Sequence, residues 1–376
     1  QPLARYPKMQ FVLNNRPIIY NGDPEVPLLT YLRDHCGITS PKDGCAPQAA
    51  CGCCVVQLNE KAVMACVVPM RKLARSRVTT IEGLGDYKQR VFSNAFVNEG
   101  GVQCGFCIPG FVMQGNVLIE NNPNPNRTQI IKALTPNLCR CTGYKKIVDA
   151  ISCAAKAIRE EEEITLKTTS GHIGMPHPKY DASALVLGQH DYTDDIRIEG
   201  MKFAALKFSD HPRARVLRID TTDARSVDGV LGVFTAADVP GQRYIGLIKQ
   251  DWPLMIAQGE VTRYIGDVLA SVVAESEHVA RTAVAKIKVE YAVLDPITNP
   301  QVAMHPDTPK IHSDHPSNVL SSSQTSRGDV NYAKSVSAYV TKGHYHTQHI
   351  EHAYMEPECA IAYQSSEGIE ILSQGQ

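Results

Sequence analysis

Apolar residues in the first eighty positions come in short runs with turn residues between them. MQFVLNNRPIIY at 9–20 sets FVL and PIIY on either side of an Asn-Asn pair, which predicts a hairpin. VPLLTYLRDHCG at 26–37 has apolar residues at 28, 29 and 32, the mark of a short amphipathic helix ending at Gly37. CVVQLNEKAVMAC at 54–66 predicts a second hairpin, turning at Asn59–Glu60. Sheet, helix and hairpin around a cysteine-rich loop predict a β-grasp domain over residues 1–82.

The period then becomes helical. VFSNAFVNEG, PGFVMQGNVLIENN, RTQIIKAL and GYKKIVDAISCAAKAIREEEE repeat apolar residues at three- and four-residue spacings. Pro109 suits a first helical turn and Thr142 suits a cap on the last helix, so a four-helix bundle is expected over 83–160. Residues 161–180 are charged, then polar with Gly and Pro, and read as a linker. MKFAALKFS, RVLRID, GVLGVFT, DVLASVVAES, HVARTAVAKI and KVEYAVL then alternate strand and helix patterns, an α+β domain over 181–305. Strands expected at 336–347 and 359–372 open a further domain over 306–376. The whole is of α+β class, and no internal repeat is visible.

Length and composition narrow the function. At roughly 100–200 residues per domain, 376 residues allow two to four domains. Net charge is −1 with both signs interspersed, which argues against a nucleic-acid or membrane-surface partner. No apolar run approaches the roughly 18 residues of a spanning helix. The opening QPLARYPKMQ lacks an apolar stretch behind a basic start, unlike a secretory signal, although without an initiator Met the start is open to trimming. A cytoplasmic location is expected.

Cysteine changes the picture most. Eleven of the twelve lie between 36 and 153, and close-spaced Cys in one half of a long chain point to metal rather than to a disulfide scaffold. DGCAPQAACGCCVV puts Cys45, Cys51 and Cys54 on one Gly- and Ala-rich loop, with Cys66 following after eleven intervening residues. An iron–sulfur cluster wants four thiolates and small neighbours that let backbone amides approach its sulfides. Plant-type ferredoxins use C-x4-C-x2-C with a distant fourth Cys; here the first gap is five, and Cys53 sits inside the CxxC. The second set is Cys104 and Cys107 in QCGFC with Cys139 and Cys141 in CRC, 31 residues apart. A four-thiolate zinc site also uses CxxC pairs, but three Cys on one loop and a C-x-C pair match zinc ribbons poorly. The expectation is two 2Fe–2S clusters. Cys36, Cys153 and Cys359 read as buried small hydrophobes, and Cys53 as an alternative to Cys54 that the C-x2-C spacing disfavours.

QCGFCIPGF…CRCTGY, preceded by a plant-type cluster loop, resembles the molybdenum hydroxylases of the xanthine dehydrogenase and aldehyde oxidoreductase type. KFSDHPRARVLRID, GVLGVFTAADVPG, RYIGDVLASVVAES and KVEYAVL are similar to the first part of that family's molybdenum region, and EHAYMEPECAIAY and ILSQGQ to the opening of the next. The CAPQ…CGCC wording resembles selenium-dependent xanthine dehydrogenase-like members. The resemblance implies a molybdopterin, as the cytosine dinucleotide, with Gln103 and the Cys141 backbone hydrogen-bonding the pterin and Gln376 near the molybdenum. It implies hydroxylation of a purine or other N-heterocycle with oxygen from water, the clusters passing electrons outward; an aldehyde oxidoreductase is the alternative. The family's metal-side Gly-rich loop and catalytic glutamate are not in 1–376, so the catalytic residues are unknown and the remaining molybdenum-domain polypeptide is an expected partner. No flavin domain separates the cluster and molybdenum regions, so FAD, if used, belongs on another subunit of an oligomer. A stand-alone iron–sulfur carrier and an inactive structural homologue are the rivals; residues 180–376 are superfluous for a carrier.

Other candidates read as structural. His344, His346, His349 and His352 lack ligands at fixed spacing, and Glu356 and Glu358 flank a Pro that suggests a turn rather than an acid/base pair. Gly241, Gly246 and Gly259 lack phosphate-loop spacing, and Arg159–Glu163 reads as a solvated helix end.

Overall fold

The computed structural model describes residues 8–247 and 249–375. Asn14 and Asn15 both take positive φ (49° and 64°), the backbone of a tight hairpin turn that Asn tolerates. Strands β1 (Met9–Leu13) and β2 (Arg16–Tyr20) therefore pair antiparallel, Phe11 opposite Ile18. Helix α1 (Leu28–Thr30) continues as a π-helical turn over Tyr31–His35, burying Leu28, Leu29 and Leu32. Strands β3 (Val55–Leu58) and β4 (Lys61–Met64) form the second hairpin, with Asn59 at φ 55°. Strand β5 (Arg77–Thr79) lies between β1, to which it is parallel, and β3, giving the order β2-β1-β5-β3-β4. Phe11, Leu28, Leu32, Val56, Met70, Leu73 and Val78 fill the core beneath, together with Cys54 and Cys66. Each such side chain contributes about 1.5–3 kcal/mol on burial.

Four helices follow: α2 (Asp86–Glu99), α3 (Ile108–Asn121), α4 (Arg127–Ala133) and α5 (Lys145–Glu160). Left-handed Gly100 ends α2, Pro109 occupies the first turn of α3, and Asn126 and Gln129 form a capping box on α4. Thr142 does not cap α5: Tyr144 takes that position at φ 67°, and the Thr142 hydroxyl turns to Cys139 Sγ at 3.1 Å. The same hydroxyl accepts from the Tyr144 amide at 3.2 Å, so Thr142 sits before the N-cap position and the cap expected from sequence is corrected.

The expected linker is only partly free. Asn94 and Asn98 on α2 donate to the Ile164 and Thr165 carbonyls, so its first residues run along that helix. Helix α6 (Ala182–Val186) buries Ala182, Leu185 and Val186 in the helical core, with Tyr192 beside them. One compact unit accordingly comprises residues 1–196 and 346–376, the other Arg197–Tyr345. The domain order read along the chain does not predict this division, because the packing of 182–192 joins segments remote in sequence.

In the second unit, strands β6 (Phe203–Phe208), β7 (Ala214–Asp220) and β8 (Val230–Thr235) are followed by the short β9 (Tyr244–Ile245) and β10 (Trp252–Pro253), then β11 (Val268–Ala274) and β12 (Lys288–Val293). β11 is central in an antiparallel sheet of order β6-β11-β8, and β12 pairs with β7. Helices α7 (Thr222–Arg225) and α8 (Glu277–Val284) cover a small core of Ala224, Val233, Ala270, Val272, Ala283 and Ile287. The strand expected at 336–347 does not form. A short helix α9 (Val330–Val336) precedes an exposed irregular stretch, since no strand among the described residues offers that segment a ladder. In the first unit, β13 (Ala360–Ser365) and β14 (Gly368–Ser373) make a hairpin.

Candidate functional site

The second cysteine set sits where two loops of the helical region meet. Cys104 and Cys107 precede α3, and Cys139 and Cys141 precede α5. The Sγ atoms of Cys104 and Cys141 lie 3.6 Å apart, and the Cys107 thiol hydrogen-bonds the Cys139 sulfur. The Cys107 thiol, the Thr142 hydroxyl and the amides of Thr142 and Cys141 point at Cys139, pulling its thiol down to about 5 against the cost of burial. Burial pushes Cys104 up to about 12, and the bond to Cys139, together with burial, raises Cys107.

The first set is arranged in the same manner. Cys54 hydrogen-bonds Cys66, which lowers Cys66 and raises Cys54. Cys51 is reached by the thiols of Cys53 and Cys45 and by the Gly44 and Cys53 amides, and falls to about 6. The Gln48 amide donates to Cys45 Sγ at 3.3 Å. Ala46, Pro47 and Gln48, within the five-residue gap, are exposed, with Ala46 and Ala49 at positive φ, so the extra residue lies in a surface bulge. Cys53 is wholly buried, its thiol raised by the bond to Cys51 and by burial. Cys36, Cys153 and Cys359 are half-buried rather than buried, a correction to their reading as core residues.

Among the described residues, no three His, Cys, Asp or Glu side chains converge on a single-ion position. A mononuclear zinc site would need all four sulfurs at about 2.3 Å from one centre. A binuclear cluster divides its four thiolates between two irons, and close sulfur pairs with amides aimed at them suit that donor set. Among the described residues no disulfide joins any of the twelve cysteines.

The two loops are joined directly. The Leu138 amide donates to the Cys51 carbonyl at 2.8 Å, and buried Asn137 donates through Nδ2 to the Gly52 carbonyl at 2.9 Å. Asn137 Oδ1 has no partner. Gly52 is at φ 71°, and a Cβ there would lie 2.6 Å from the Pro136 carbonyl, so glycine alone permits this approach. Arg140, between Cys139 and Cys141, donates to the carbonyls of Glu351 and His352 at 2.7 and 2.5 Å, fastening the 351–352 segment beside the CRC loop.

Gln103 is exposed next to half-buried Cys104, and the Cys141 amide is directed at Cys139. Gln376 lies outside the described residues. His344, His346, His349 and His352 are exposed in irregular chain. Glu358 pairs with the Tyr354 hydroxyl, and Glu356 is buried. Sequence reasoning missed Lys42, Tyr192 and Asp195, which pack against one another between the loops. The one local signal was a lysine three positions before Cys45; nothing in YTDD marks Asp195 as its partner.

Family comparisons agree with this geometry. Residues 80–152 match the [2Fe-2S] binding domain, 187–295 the aldehyde oxidase and xanthine dehydrogenase a/b hammerhead domain, and 311–376 the molybdopterin cofactor-binding domain. The aldehyde oxidoreductase of Megalodesulfovibrio gigas is 35% identical over 366 residues, 92% of this chain and 40% of that protein. The isoquinoline 1-oxidoreductase subunit alpha of Brevundimonas diminuta is 39% identical over 149 residues, 39% of this chain and 97% of that subunit. The crystal structure of the aldehyde oxidoreductase from Desulfovibrio desulfuricans ATCC 27774 superposes with a TM-score of 0.87 at 31% identity, covering 97% of this chain and 43% of that one. Fold and cysteine geometry define a chain with [2Fe–2S]-binding and molybdopterin-binding domains. It belongs to the molybdenum hydroxylase family. It spans about two-fifths of the length of the aldehyde oxidoreductases it matches.

Proposed function

We propose that this chain is the electron-transfer and partial molybdopterin-binding portion of a molybdenum hydroxylase that oxidises an aldehyde. Cys45, Cys51, Cys54 and Cys66 hold one 2Fe–2S cluster, and Cys104, Cys107, Cys139 and Cys141 hold the other. The observation that carries this is the pairing of sulfurs within each set on loops that share a backbone hydrogen bond. When bound, the clusters supply one-electron storage. The Cys51 carbonyl, the Leu138 amide and the peptide into Cys139 form the short link between the two sets.

The aldehyde reading is supported by the aldehyde oxidoreductases that match nearly the whole chain, and it reverses the order that the family resemblance implied, which put a purine or other N-heterocycle first. An N-heterocycle is the second reading, supported by the isoquinoline 1-oxidoreductase subunit. Gln103 and the Cys141 backbone are the groups of this chain that would hold the pterin, as its cytosine dinucleotide. Further molybdenum-domain polypeptide is its partner in the site, FAD is carried on another subunit if it is used, and the assembly is an oligomer in the cytoplasm. No helix among the described residues is long and apolar enough to cross a membrane.

Anaerobic iron and sulfide analysis tests the cluster assignment. About four irons per chain and two distinct EPR signals after reduction are expected; about two irons would sink it. Substrate is tested with the holoenzyme, by whether an aldehyde or a purine bleaches the cluster absorbance.

A further inference from the structure

Lys42 is fully buried, and its ammonium pairs with the equally buried Asp195 carboxylate. Arg33 completes the group, with Nη1 2.8 Å from Asp195 Oδ1 and Nη2 3.1 Å from Asp194 Oδ2. The Lys42 ammonium lies 4.8 Å from the centre of the Tyr192 ring. Both ends touch the cysteine loops. The Lys42 amide donates to the Cys53 carbonyl at 3.2 Å, and the Tyr192 hydroxyl donates to the Cys104 carbonyl at 2.6 Å. The Tyr192 ring also packs edge-on against Phe106, between Cys104 and Cys107, with centroids 5.2 Å apart.

Holding two loops together does not require charge. Apolar side chains of the same volume serve as well or better, because each buried ion must be stripped of water. A buried ion pair acts differently on a neighbour whose own charge changes, since its field is weakly screened in the interior. A one-electron centre gains a negative charge on reduction. We propose that Lys42, opposed by Asp195, sets the reduction potential of the centre held by Cys104, Cys107, Cys139 and Cys141, the cation favouring its reduced form and the carboxylate opposing it. Tyr192 links the ammonium to the Cys104 loop through its ring and its hydroxyl, so the effect is sought first at this centre. This rests on the assignment of one-electron clusters to the two cysteine sets.

The test is an anaerobic redox titration of the iron-loaded full chain, following both EPR signals, in Lys42→Met, Asp195→Asn and the double variant. Lys42→Met should lower the potential of the helical-domain signal, Asp195→Asn should raise it, and the double variant should fall between them. A merely structural pair would move both single variants the same way. Unchanged potentials, or shifts of the same sign, in variants that keep their iron overturn this proposal alone. An unsubstituted chain that takes up no iron overturns the cluster assignment and this proposal with it. If Lys42→Met loses iron, Asp195→Asn decides: a potential equal to or below the parent's refutes the idea.

Discussion

The close packing of α3 on the first cysteine loop can be tested by adding one methyl group. Gly110 lies in the first turn of α3, and a Cβ there would sit 2.4 Å from the Gly52 carbonyl oxygen and 3.2 Å from Cys53 Cα. Both obstacles are backbone, so nothing yields by rotation, and α3 must retreat from the loop by at least about 0.6 Å to restore a 3.0 Å contact. The same carbonyl accepts from Asn137 Nδ2 at 2.9 Å and from the Val55 amide at 3.3 Å, so displacing it strains buried hydrogen bonds as well. Overpacking costs about 1–3 kcal/mol and a broken buried bond about 1–3 more, against about 1 kcal/mol gained by Ala over Gly in a helix. Gly110→Ala should therefore destabilise by about 1–5 kcal/mol, lowering Tm by roughly 2–20 °C for a body of this size. Gly115→Ala on the same helix is the control: its Cβ would meet only the Ile151 side chain, at 3.3 Å, which can give way. Thermal unfolding followed by circular dichroism reads both variants. Equal Tm values for the two, or a Gly110→Ala variant as stable as the parent, would refute the close-packed junction.

Cys45→Ser should abolish one EPR signal of the reduced chain while Cys53→Ser leaves both; loss of a signal in Cys53→Ser would mean the ligand is misassigned. The iron-free chain should be most stable near pH 8–9. Cys139 and Cys51, held down to about 5 and 6 against about 8.5 when unfolded, contribute stability above 8.5 that is lost as pH falls through 6 and 5. Cys104, pushed up to about 12, contributes stability that is lost as pH rises from 8.5 towards 12. A urea midpoint that is flat or falling between pH 5 and 8 would contradict this. Arg140→Ala should free the 351–352 segment and speed limited proteolysis between 346 and 359, and an unchanged digestion pattern would show that the two carbonyl contacts do not hold it.

Local chemistry was legible in the sequence. The Asn14–Asn15 turn, the apolar trio at 28, 29 and 32, and the helical periods between 88 and 160 depend on neighbours a few residues apart, and the backbone follows them directly. The meeting of Cys104 with Cys141 and of Cys54 with Cys66 agrees with the spacing, because loop length limits which thiols can meet. The strand expected at 336–347 was not, since a strand exists only when another offers it a ladder. Tertiary structure alone decided the joins. Lys42 meets Asp195 across 153 positions and Asn137 meets Gly52 across 85, and residues 346–376 return to the first unit. The neighbouring carboxylate, Asp43, accepts from the Cys45 and Ala46 amides rather than meeting the buried ammonium. Only the packing of α6 and Tyr192 into the helical core brings a carboxylate to it, so the charge that faces the cysteine loops is a property of the fold and not of any local pattern.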